Sequence, residues 1–509
     1  MTRETAAQIA ARWGIDSAAI PGLERLLDNT RQTYARVEAL AEALSEPPPP
    51  SPGWRVEAVR GSDPTRAWMF RTFPVAPSPT GPLSGQRLVV KDAIAVGGVP
   101  MTLGSNLLAG HVPDHSATAV ERALSAGATL AGTAVCEDMC YSGSSFTSAT
   151  GPVPNPYDRA RSAGGSTSGC GALIASGEAD LGLGTDLGGS VRNPAAWCGI
   201  CGLKPTFGVV PYTGAAATEV TMDHLGLMAR TAREIAVLLD AVAGPDDQDP
   251  RQAGAGVLRG SAAGIEAEPS GMRVGLLREG FGWPNRSDPR QDELVEGAIE
   301  RMAELGVSIG EVSVPLFRSG TDIHVPIATE GGLATVFETA LQGANHAGFY
   351  DPALAREFGN ALRERPADLP LNGKVTVIAA TLMRQQTNGR VMALAQALRR
   401  KLRNQIDAAL AEYDVLALPT TPMLPHLLPE GALTSDAHQQ LAFEMHDNNC
   451  VANLTGHPAL SVPCGMIDGL PVGLLLIGPM LEDHELLRLA HHFQARLFAP
   501  PTPKTEMNP

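Results

Sequence analysis

The 509-residue sequence has few cysteines and no excess of positive charge. Lys and Arg total 39 against 54 Asp and Glu, so the formal net charge is −15. An acidic chain without a dense basic cluster is a poor polyanion binder, which argues against nucleic acid as its main partner. Seven cysteines, an odd number without a disulfide-like framework, favour a reducing compartment. We therefore expect a cytoplasmic protein.

Long hydrophobic runs are also missing. The N-terminal stretch MTRETAAQIAARWGID lacks the apolar core of a secretory signal. The densest apolar stretch, residues 469–481, is too short and too often interrupted by Gly and Pro to span a bilayer. We expect neither export nor a membrane partner.

Gly and Pro, by contrast, are abundant, with 54 and 41 residues, and together they well exceed the roughly 12% of average usage. The chain is therefore rich in loops or contains functional turns dense in glycine. Apolar residues make up 44% of the sequence, which is enough for a large core.

The first 50 residues are predicted to be a helical extension. Apolar residues between Leu23 and Leu44 recur at spacings of three and four. This stripe packs either on its own subunit or against a second copy, and we expect a homodimer. A Pro-rich boundary follows, and we assign residues 51–59 as a linker.

From residue 60 to residue 500, short apolar runs alternate with helical patterns. This alternation predicts an α/β fold with a large mixed central β-sheet covered on both faces by helices. Residues 320–400 are mostly helical and are interpreted as an insertion or cap, and residues 501–509 as a tail.

Two Gly-Gly-Ser elements ending at Ser166 and Ser190 are the most unusual feature of this region. Glycine pairs allow positive φ and a close approach to a ligand. Packing turns without chemistry are the alternative, which the presence of two such elements disfavours. The sequence has no P-loop, no dinucleotide-binding Gly-x-Gly-x-x-Gly and no Gly-x-Ser-x-Gly nucleophile elbow.

The run after Ser190 can begin a helix, because Pro194 is tolerated in a first turn. The backbone before that helix would form a concave nest of N–H groups, which suits a developing oxyanion. The N–H groups expected to bind the oxyanion are those of Leu187, Gly188, Gly189 and Ser190.

Lys91 ends an apolar run and is a further candidate. Such a lysine often extends its amine to solvent. If the side chain is buried, desolvation favours the neutral amine, which can act as a general base.

These residues resemble the amidase signature family of serine hydrolases, over about residues 60–500. The motifs that carry the resemblance are Lys91, Gly164–Ser166, Gly184–Arg192, Cys198–Thr206, Asp414–Pro422, Gly456–Pro463 and Gly469–Gly478. Residues 136–147 and 207–215 are most similar to the broad-spectrum amidases associated with nitrile hydratases. The resemblance implies the amidase signature fold, a helical N-terminal extension, and neither a cofactor nor a metal.

The resemblance also implies a catalytic triad of Lys91, Ser166 and Ser190. Ser190 would attack the amide carbonyl, and Ser166 would relay its proton to Lys91. In the family the peptide bond before the middle serine, here Gly165–Ser166, is cis. The residues expected to bind substrate are Cys140, Tyr141, Ser142 and Gly143, with a core position as the alternative for Tyr141.

Three residues depart from the usual family pattern. Thr167 still provides a hydroxyl near the relay, whereas Ser168 and Cys170 are expected to change helix packing beneath the site. Asp186 and Arg192 flank the second Gly-Gly-Ser element, and we interpret them as a buried pair that holds the loop rather than as catalytic groups.

Two short cysteine pairs, Cys136/Cys140 and Cys198/Cys201, leave a zinc site as an alternative. We favour the interpretation without metal, because the second pair lies inside a structural segment of the family and amide hydrolysis by this triad needs none.

The expected function is hydrolysis of carboxamides to a carboxylic acid and ammonia or an amine, through an acyl-enzyme and with broad aliphatic and aromatic scope. The same triad would serve an anilide or carbamate hydrolase. A glutaminase-type subunit of a tRNA-dependent amidotransferase is a further alternative, and a noncatalytic binding protein is disfavoured by the intact triad.

Overall fold

A 12-stranded sheet forms the centre of the computed structural model. The structure describes residues 5–16, 20–43, 53–59, 63–75, 79–254, 256, 258, 260–344 and 347–503. The chain divides into two compact units, residues 1–51 and 52–509. The described part of the first unit is helical, and the second unit contains the whole sheet. Leu44, at the end of the predicted apolar stripe, lies outside the described residues.

The strands of the described residues are β1 Trp54–Ala58, β2 Trp68–Pro74, β3 Arg87–Lys91, β4 Thr129–Ala134, β5 Leu181–Asp186, β6 Cys201–Lys204, β7 His224–Ala229, β8 Arg273–Leu277, β9 Ser308–Val312, β10 Val415–Pro419, β11 Ala459–Ile467 and β12 Leu470–Ile477. The α-helices are α1 Ala6–Arg12, α2 Ile20–Ala43, α3 Thr118–Ser125, α4 Ser168–Ala175, α5 Arg192–Cys198, α6 Ala232–Val242, α7 Pro289–Arg301, α8 Gly320–Gly332, α9 Pro352–Glu364, α10 Leu371–Thr387, α11 Arg390–Glu412, α12 Ser435–Phe443, α13 Cys450–Thr455 and α14 Asp483–Arg496.

The sheet is mixed, with the order β1-β2-β4-β3-β5-β7-β6-β11-β12-β10-β8-β9. β3 runs parallel to both of its neighbours, β4 and β5. β5 is antiparallel to β7, and β10 is parallel to β8. The predicted large mixed sheet is confirmed.

Both faces of the sheet are covered. Along β10, Val415 and Ala417 belong to one hydrophobic cluster, whereas Leu416 and Leu418 belong to another. Successive strand residues point to opposite faces, so a strand whose residues are all buried is packed on both sides. This is the α/β layering that the sequence predicts.

Several segments differ from the sequence-based expectations. Residues 54–58, assigned to the linker, form β1 and pair with β2. The region of residues 320–400 is mostly helical and contains a short π-helix at Leu333–Glu338 directly after α8. None of the described helices is long and apolar enough to cross a membrane.

Candidate active site

The candidate site lies where the carboxyl ends of three parallel strands meet. Lys91 is the last residue of β3, and Asp186 is the last residue of β5. The segment after β4 begins at Val135 and leads to the expected substrate-binding residues. Since the carboxyl ends of parallel strands share one sheet edge, these segments converge there.

The Lys91 side chain is completely buried. Its Nζ atom lies 2.7 Å from Ser166 Oγ and 2.7 Å from Thr185 Oγ1, with the Thr185 carbonyl oxygen at 3.4 Å. Sequence reasoning did not identify Thr185 as a partner, because its contact with Lys91 depends on the neighbouring positions of β3 and β5.

Ser166 precedes α4 and is also completely buried. The peptide bond between Gly165 and Ser166 is cis, as the resemblance implies. The backbone N–H of Glu137 donates to the Ser166 carbonyl oxygen at 3.2 Å. Burial raises the pKa of Glu137, although its carboxylate accepts a hydrogen bond of 2.8 Å from the Thr147 hydroxyl.

Ser190 lies between β5 and α5 and is 6% exposed. Its carbonyl oxygen accepts a hydrogen bond from Thr167 N at 3.1 Å, which joins the two Gly-Gly-Ser elements. Gly189 has φ +119°, and a Cβ atom there would lie 2.6 Å from Asn449 Cβ. Both the backbone angle and the close contact therefore require glycine immediately before Ser190.

A buried ion pair holds this loop. The Asp186 carboxylate accepts hydrogen bonds from Arg192 Nη2 at 2.8 Å and Arg192 Nε at 3.1 Å, and both side chains are inaccessible. Arg192 also donates to Asn453 Oδ1 at 2.7 Å and to the Asn449 carbonyl at 2.9 Å. The pair occupies the loop-holding position that the sequence analysis predicts.

The Asp186 carboxylate also accepts hydrogen bonds from the backbone of this loop, which reduces the number of N–H groups available to an oxyanion. Gly189 N donates to Asp186 Oδ1 at 2.9 Å, and Val191 N donates to Asp186 Oδ2 at 3.0 Å. The N–H of Gly189 is thus engaged within the loop, and its assignment to the oxyanion nest is corrected. Leu187, Gly188 and Ser190 remain as proposed donors.

Replacing Asp186 with asparagine is expected to lower the free energy of unfolding by about 3–5 kcal/mol, because Arg192 stays buried without a charged partner. Burial alone would raise the pKa of Asp186, but Arg192 outweighs it and holds the pKa well below its usual range. The folded carboxylate thus contributes stability above the unfolded-state pKa, near 4, and the contribution shrinks as the pH falls below it.

Urea denaturation between pH 5 and 8 measures this loss. Asp180→Asn is the matched control, because the Asp180–Arg87 pair is partly exposed and is expected to contribute no more than about 1 kcal/mol. Equal losses for the two variants would contradict the prediction.

The expected substrate-binding segment packs directly against the backbone beside Ser166. A Cβ atom on Gly165 would lie 3.2 Å from both Gly143 C and Ser144 N, so this segment touches the backbone beside Ser166. The Ser142 and Ser144 hydroxyls are hydrogen-bonded to each other at 2.5 Å. Gly143 also has no room for a side chain, since its Cβ would lie 2.6 Å from His446 Cε1.

Tyr141 and Cys140 precede that contact. The Tyr141 ring is stacked against Phe337 with centroids 6.4 Å apart, and its buried hydroxyl has no hydrogen-bond partner among the described residues. A hydrogen bond between the thiols of Cys136 and Cys140 lowers the pKa of Cys140. Contacts with Lys91 and Ser166 lower the pKa of this thiol as well, so Cys140 lies beside both side chains.

The three departures from the family pattern are accommodated locally. Thr167 Oγ1 donates to the Thr185 carbonyl at 3.4 Å, and Ser168 Oγ donates to Glu137 Oε1 at 3.4 Å. The thiol of Cys170 donates to the Leu183 carbonyl at 3.8 Å. Each substituent therefore has a polar partner in the buried layer beneath the site.

The cysteines of the zinc alternative have separate partners. Cys198 Sγ donates to the Ala163 carbonyl at 3.2 Å, and Cys201 Sγ accepts from Gln494 Nε2 at 3.1 Å. Within the described ranges, the one group of residues spaced to hold a metal ion is Glu482, His484 and Glu485. None of the four cysteines belongs to this group.

Two histidines beside the loop that precedes Ser190 were not identified from the sequence. His324 on α8 and His446 after α12 both approach Gly188, whose Cβ would lie 3.4 Å from His324 Nε2 and 3.2 Å from His446 Cδ2. No motif in the sequence marks either histidine, because both reach Gly188 only through tertiary packing.

Comparison with known proteins gives consistent results. The Amidase family profile matches residues 73–487. An enantioselective amidase of Rhodococcus rhodochrous is 38% identical over 473 residues, covering 92% of this chain and 90% of that protein. A subunit of the Thermus thermophilus glutamyl-tRNA(Gln) amidotransferase is 38% identical over 427 residues, covering 82% and 86%. A structure of 6-aminohexanoate cyclic dimer hydrolase has a TM-score of 0.73 and 26% identity, covering 84% and 88%.

Proposed function

The chain belongs to the amidase family and is a hydrolase of C–N bonds, and from this premise we propose that it converts linear carboxamides to a carboxylic acid and ammonia or an amine through Lys91, Ser166 and Ser190. The observation that carries the proposal is the 2.7 Å contact between Lys91 Nζ and Ser166 Oγ in a fully buried setting.

In the proposed acylation step, Ser190 Oγ attacks the substrate carbonyl carbon while Ser166 takes its proton and passes its own to Lys91. A neutral lysine nitrogen has two N–H donors and one lone pair. Thr185 offers two acceptors to Nζ, its hydroxyl and its carbonyl oxygen. In the structure Nζ also donates to Ser166 Oγ, and the proposed relay requires the reverse hydrogen bond, in which the Ser166 hydroxyl donates to the lone pair while Thr185 accepts both N–H groups.

The relay runs in reverse to release the first product. Lys91 returns a proton through Ser166 to the departing nitrogen, because an amide anion is too basic to leave unaided. Water then attacks the acyl group on Ser190, and the same groups remove its proton. The products are the free acid and the regenerated serine.

Broad acyl scope is part of the proposal. Tyr141 directly follows Cys140 and is stacked against Phe337, and as the proposed pocket wall the two rings suit aliphatic and aromatic acyl groups without selecting a charged one. Anilides and carbamates present the same carbonyl to Ser190, and they remain the alternative substrate class.

A turnover panel tests the function. Aliphatic amides, aromatic amides, anilides and carbamates are incubated with the full chain, and release of ammonia, amine or acid is measured. Turnover of the simple carboxamides above the other classes is expected. Hydrolysis of anilides or carbamates alone would shift the assignment to the alternative, and no hydrolysis in any class would overturn it.

The amidotransferase subunit is the second candidate, because the Thermus protein is 38% identical to this chain. The alignment with the enantioselective amidase covers 92% of the chain instead of 82%, which supports the free-standing enzyme. Purification of the tagged chain from its native host distinguishes the two. A second subunit in equal amount, with glutamine as the preferred substrate, would favour the amidotransferase.

Helix α2 is expected to join two copies of the chain. It is 24 residues long, and Leu26, Tyr34, Val37 and Leu40 are exposed large hydrophobic side chains on it. A single helix of this length is marginal in water, so we expect this face to be buried in a homodimer. Light scattering should give twice the 53.2 kDa chain mass, and a chain starting at Trp54 should be monomeric and active. A full-length monomer would contradict the prediction.

A further inference from the structure

We propose that His324 is a positioning residue that holds and polarises the Leu187–Gly188 peptide, so that the Gly188 N–H is directed at the oxyanion. The inference rests on the proposed function, because it assigns the oxyanion to the loop before Ser190. His324 lies on α8, 137 residues from Leu187 in the sequence, and its Nε2 atom is 3.1 Å from the Leu187 carbonyl oxygen.

The chemistry of this contact fixes the histidine tautomer. A carbonyl oxygen can only accept a hydrogen bond, so His324 Nε2 carries the hydrogen and donates it. Burial lowers the pKa of His324 to about 4, and the ring is therefore neutral at physiological pH, with Nδ1 unprotonated. The neutral imidazole therefore holds the Leu187 carbonyl without placing a full positive charge next to the loop.

The geometry of the peptide unit transmits this contact to Gly188. The Leu187–Gly188 bond is trans, since the one cis bond among the described residues is Gly165–Ser166. In a trans peptide the C=O and N–H groups point in opposite directions. With Leu187 O fixed on His324, the Gly188 N–H points away from the imidazole.

A second effect strengthens the same N–H group. A hydrogen bond accepted by a carbonyl polarises its peptide, which makes the N–H of that unit a better donor in a chain of hydrogen bonds. Gly189 N is already engaged by Asp186, so the loop has fewer donors to spare and the orientation of Gly188 matters more. Oxyanion donors act by being preorganised, and His324 supplies that preorganisation from outside the loop.

The experiment compares His324→Gln, whose amide can still donate, with His324→Leu, which has similar bulk and no donor. Complete removal of an oxyanion donor costs about 100- to 1,000-fold in kcat, so a misaligned one is expected to cost roughly 10-fold or more. We expect this loss in the Leu variant with KM changed less than twofold, and recovery of most of kcat in the Gln variant. Val325→Ala, an exposed neighbour on α8, is the matched control and should retain wild-type kcat.

Equal losses in the Gln and Leu variants, or a rise in KM with unchanged kcat, would overturn the positioning role. Wild-type kcat in both variants would overturn it as well, whereas failure of wild type to hydrolyse any carboxamide would refute the proposed function instead. If the Leu variant does not fold, nitrogen NMR of histidine-labelled wild type decides, with His324 assigned from the Gln variant. A protonated Nε2 and bare Nδ1 support the proposal, and the opposite tautomer refutes it.

Discussion

Replacing Ser190 with alanine is expected to abolish carboxamide turnover, with kcat falling by roughly 10⁴- to 10⁶-fold, the range found when the nucleophile of a serine hydrolase is removed. Ser190, the proposed nucleophile, is 6% exposed, whereas Ser166 and Lys91 are completely buried. Without its Oγ atom no acyl-enzyme can form. Steady-state kinetics on the best amide of the panel measures the loss, and unchanged far-UV dichroism excludes unfolding.

Covalent labelling identifies the nucleophile directly. A sulfonyl fluoride should modify the wild-type chain once, and peptide mass spectrometry should place the adduct on Ser190. An adduct on Ser166, Ser168 or a cysteine would overturn the assignment. The control variant is Ser176→Ala, an exposed serine at the end of α4, which should label and turn over normally.

Replacing Lys91 with alanine is expected to lower kcat by several orders of magnitude while leaving the fold intact. Ser166 would keep its hydroxyl but would lose the amine that lies 2.7 Å away and is proposed to accept the relayed proton. Steady-state kinetics on the best amide of the panel measures this loss as well, and unchanged far-UV dichroism excludes unfolding.

Lys91→Arg separates hydrogen-bond donation from proton transfer. A guanidinium can still donate hydrogen bonds, but it stays protonated at working pH and cannot accept the proton from Ser166, so this variant should be as inactive as the alanine variant. Lys401→Ala, an exposed lysine on α11, is the control and should match wild type. Near-normal activity of Lys91→Ala at neutral pH would refute the Lys-Ser-Ser scheme.

The strands and helices with strong periodicity were predictable from the sequence. The helix after Ser190 begins at Arg192 with Pro194 in its first turn, and the apolar run at residues 414–419 is β10. β5 was not predicted, because Leu-Gly-Leu-Gly-Thr-Asp resembles a glycine-rich loop. The strand exists because β3 and β7 pair with it on both sides.

The contacts between residues in the site were harder to predict than the candidate residues themselves. The glycine-serine elements indicated where the chemistry lies, yet Thr185, His324 and Asn453 reach it only through tertiary packing. The engagement of Gly189 N by Asp186 was likewise invisible, because a sequence gives no direction to a backbone N–H. The sequence motifs identify the candidate groups. The fold determines which of these groups already make a hydrogen bond within the protein and which are free to contact a substrate.

The anchoring of the Ser190 loop on α13 has a consequence during synthesis on the ribosome. Arg192 is bonded to Asn453, 261 residues further along the chain. At about 5–20 residues per second, roughly 10–50 s pass between translation of the two residues. Throughout that interval the loop lacks its final support, and a chain stalled or cut before α13 should not react with a serine-directed probe. Reactivity of Ser190 would therefore report that translation of nearly the whole polypeptide is complete.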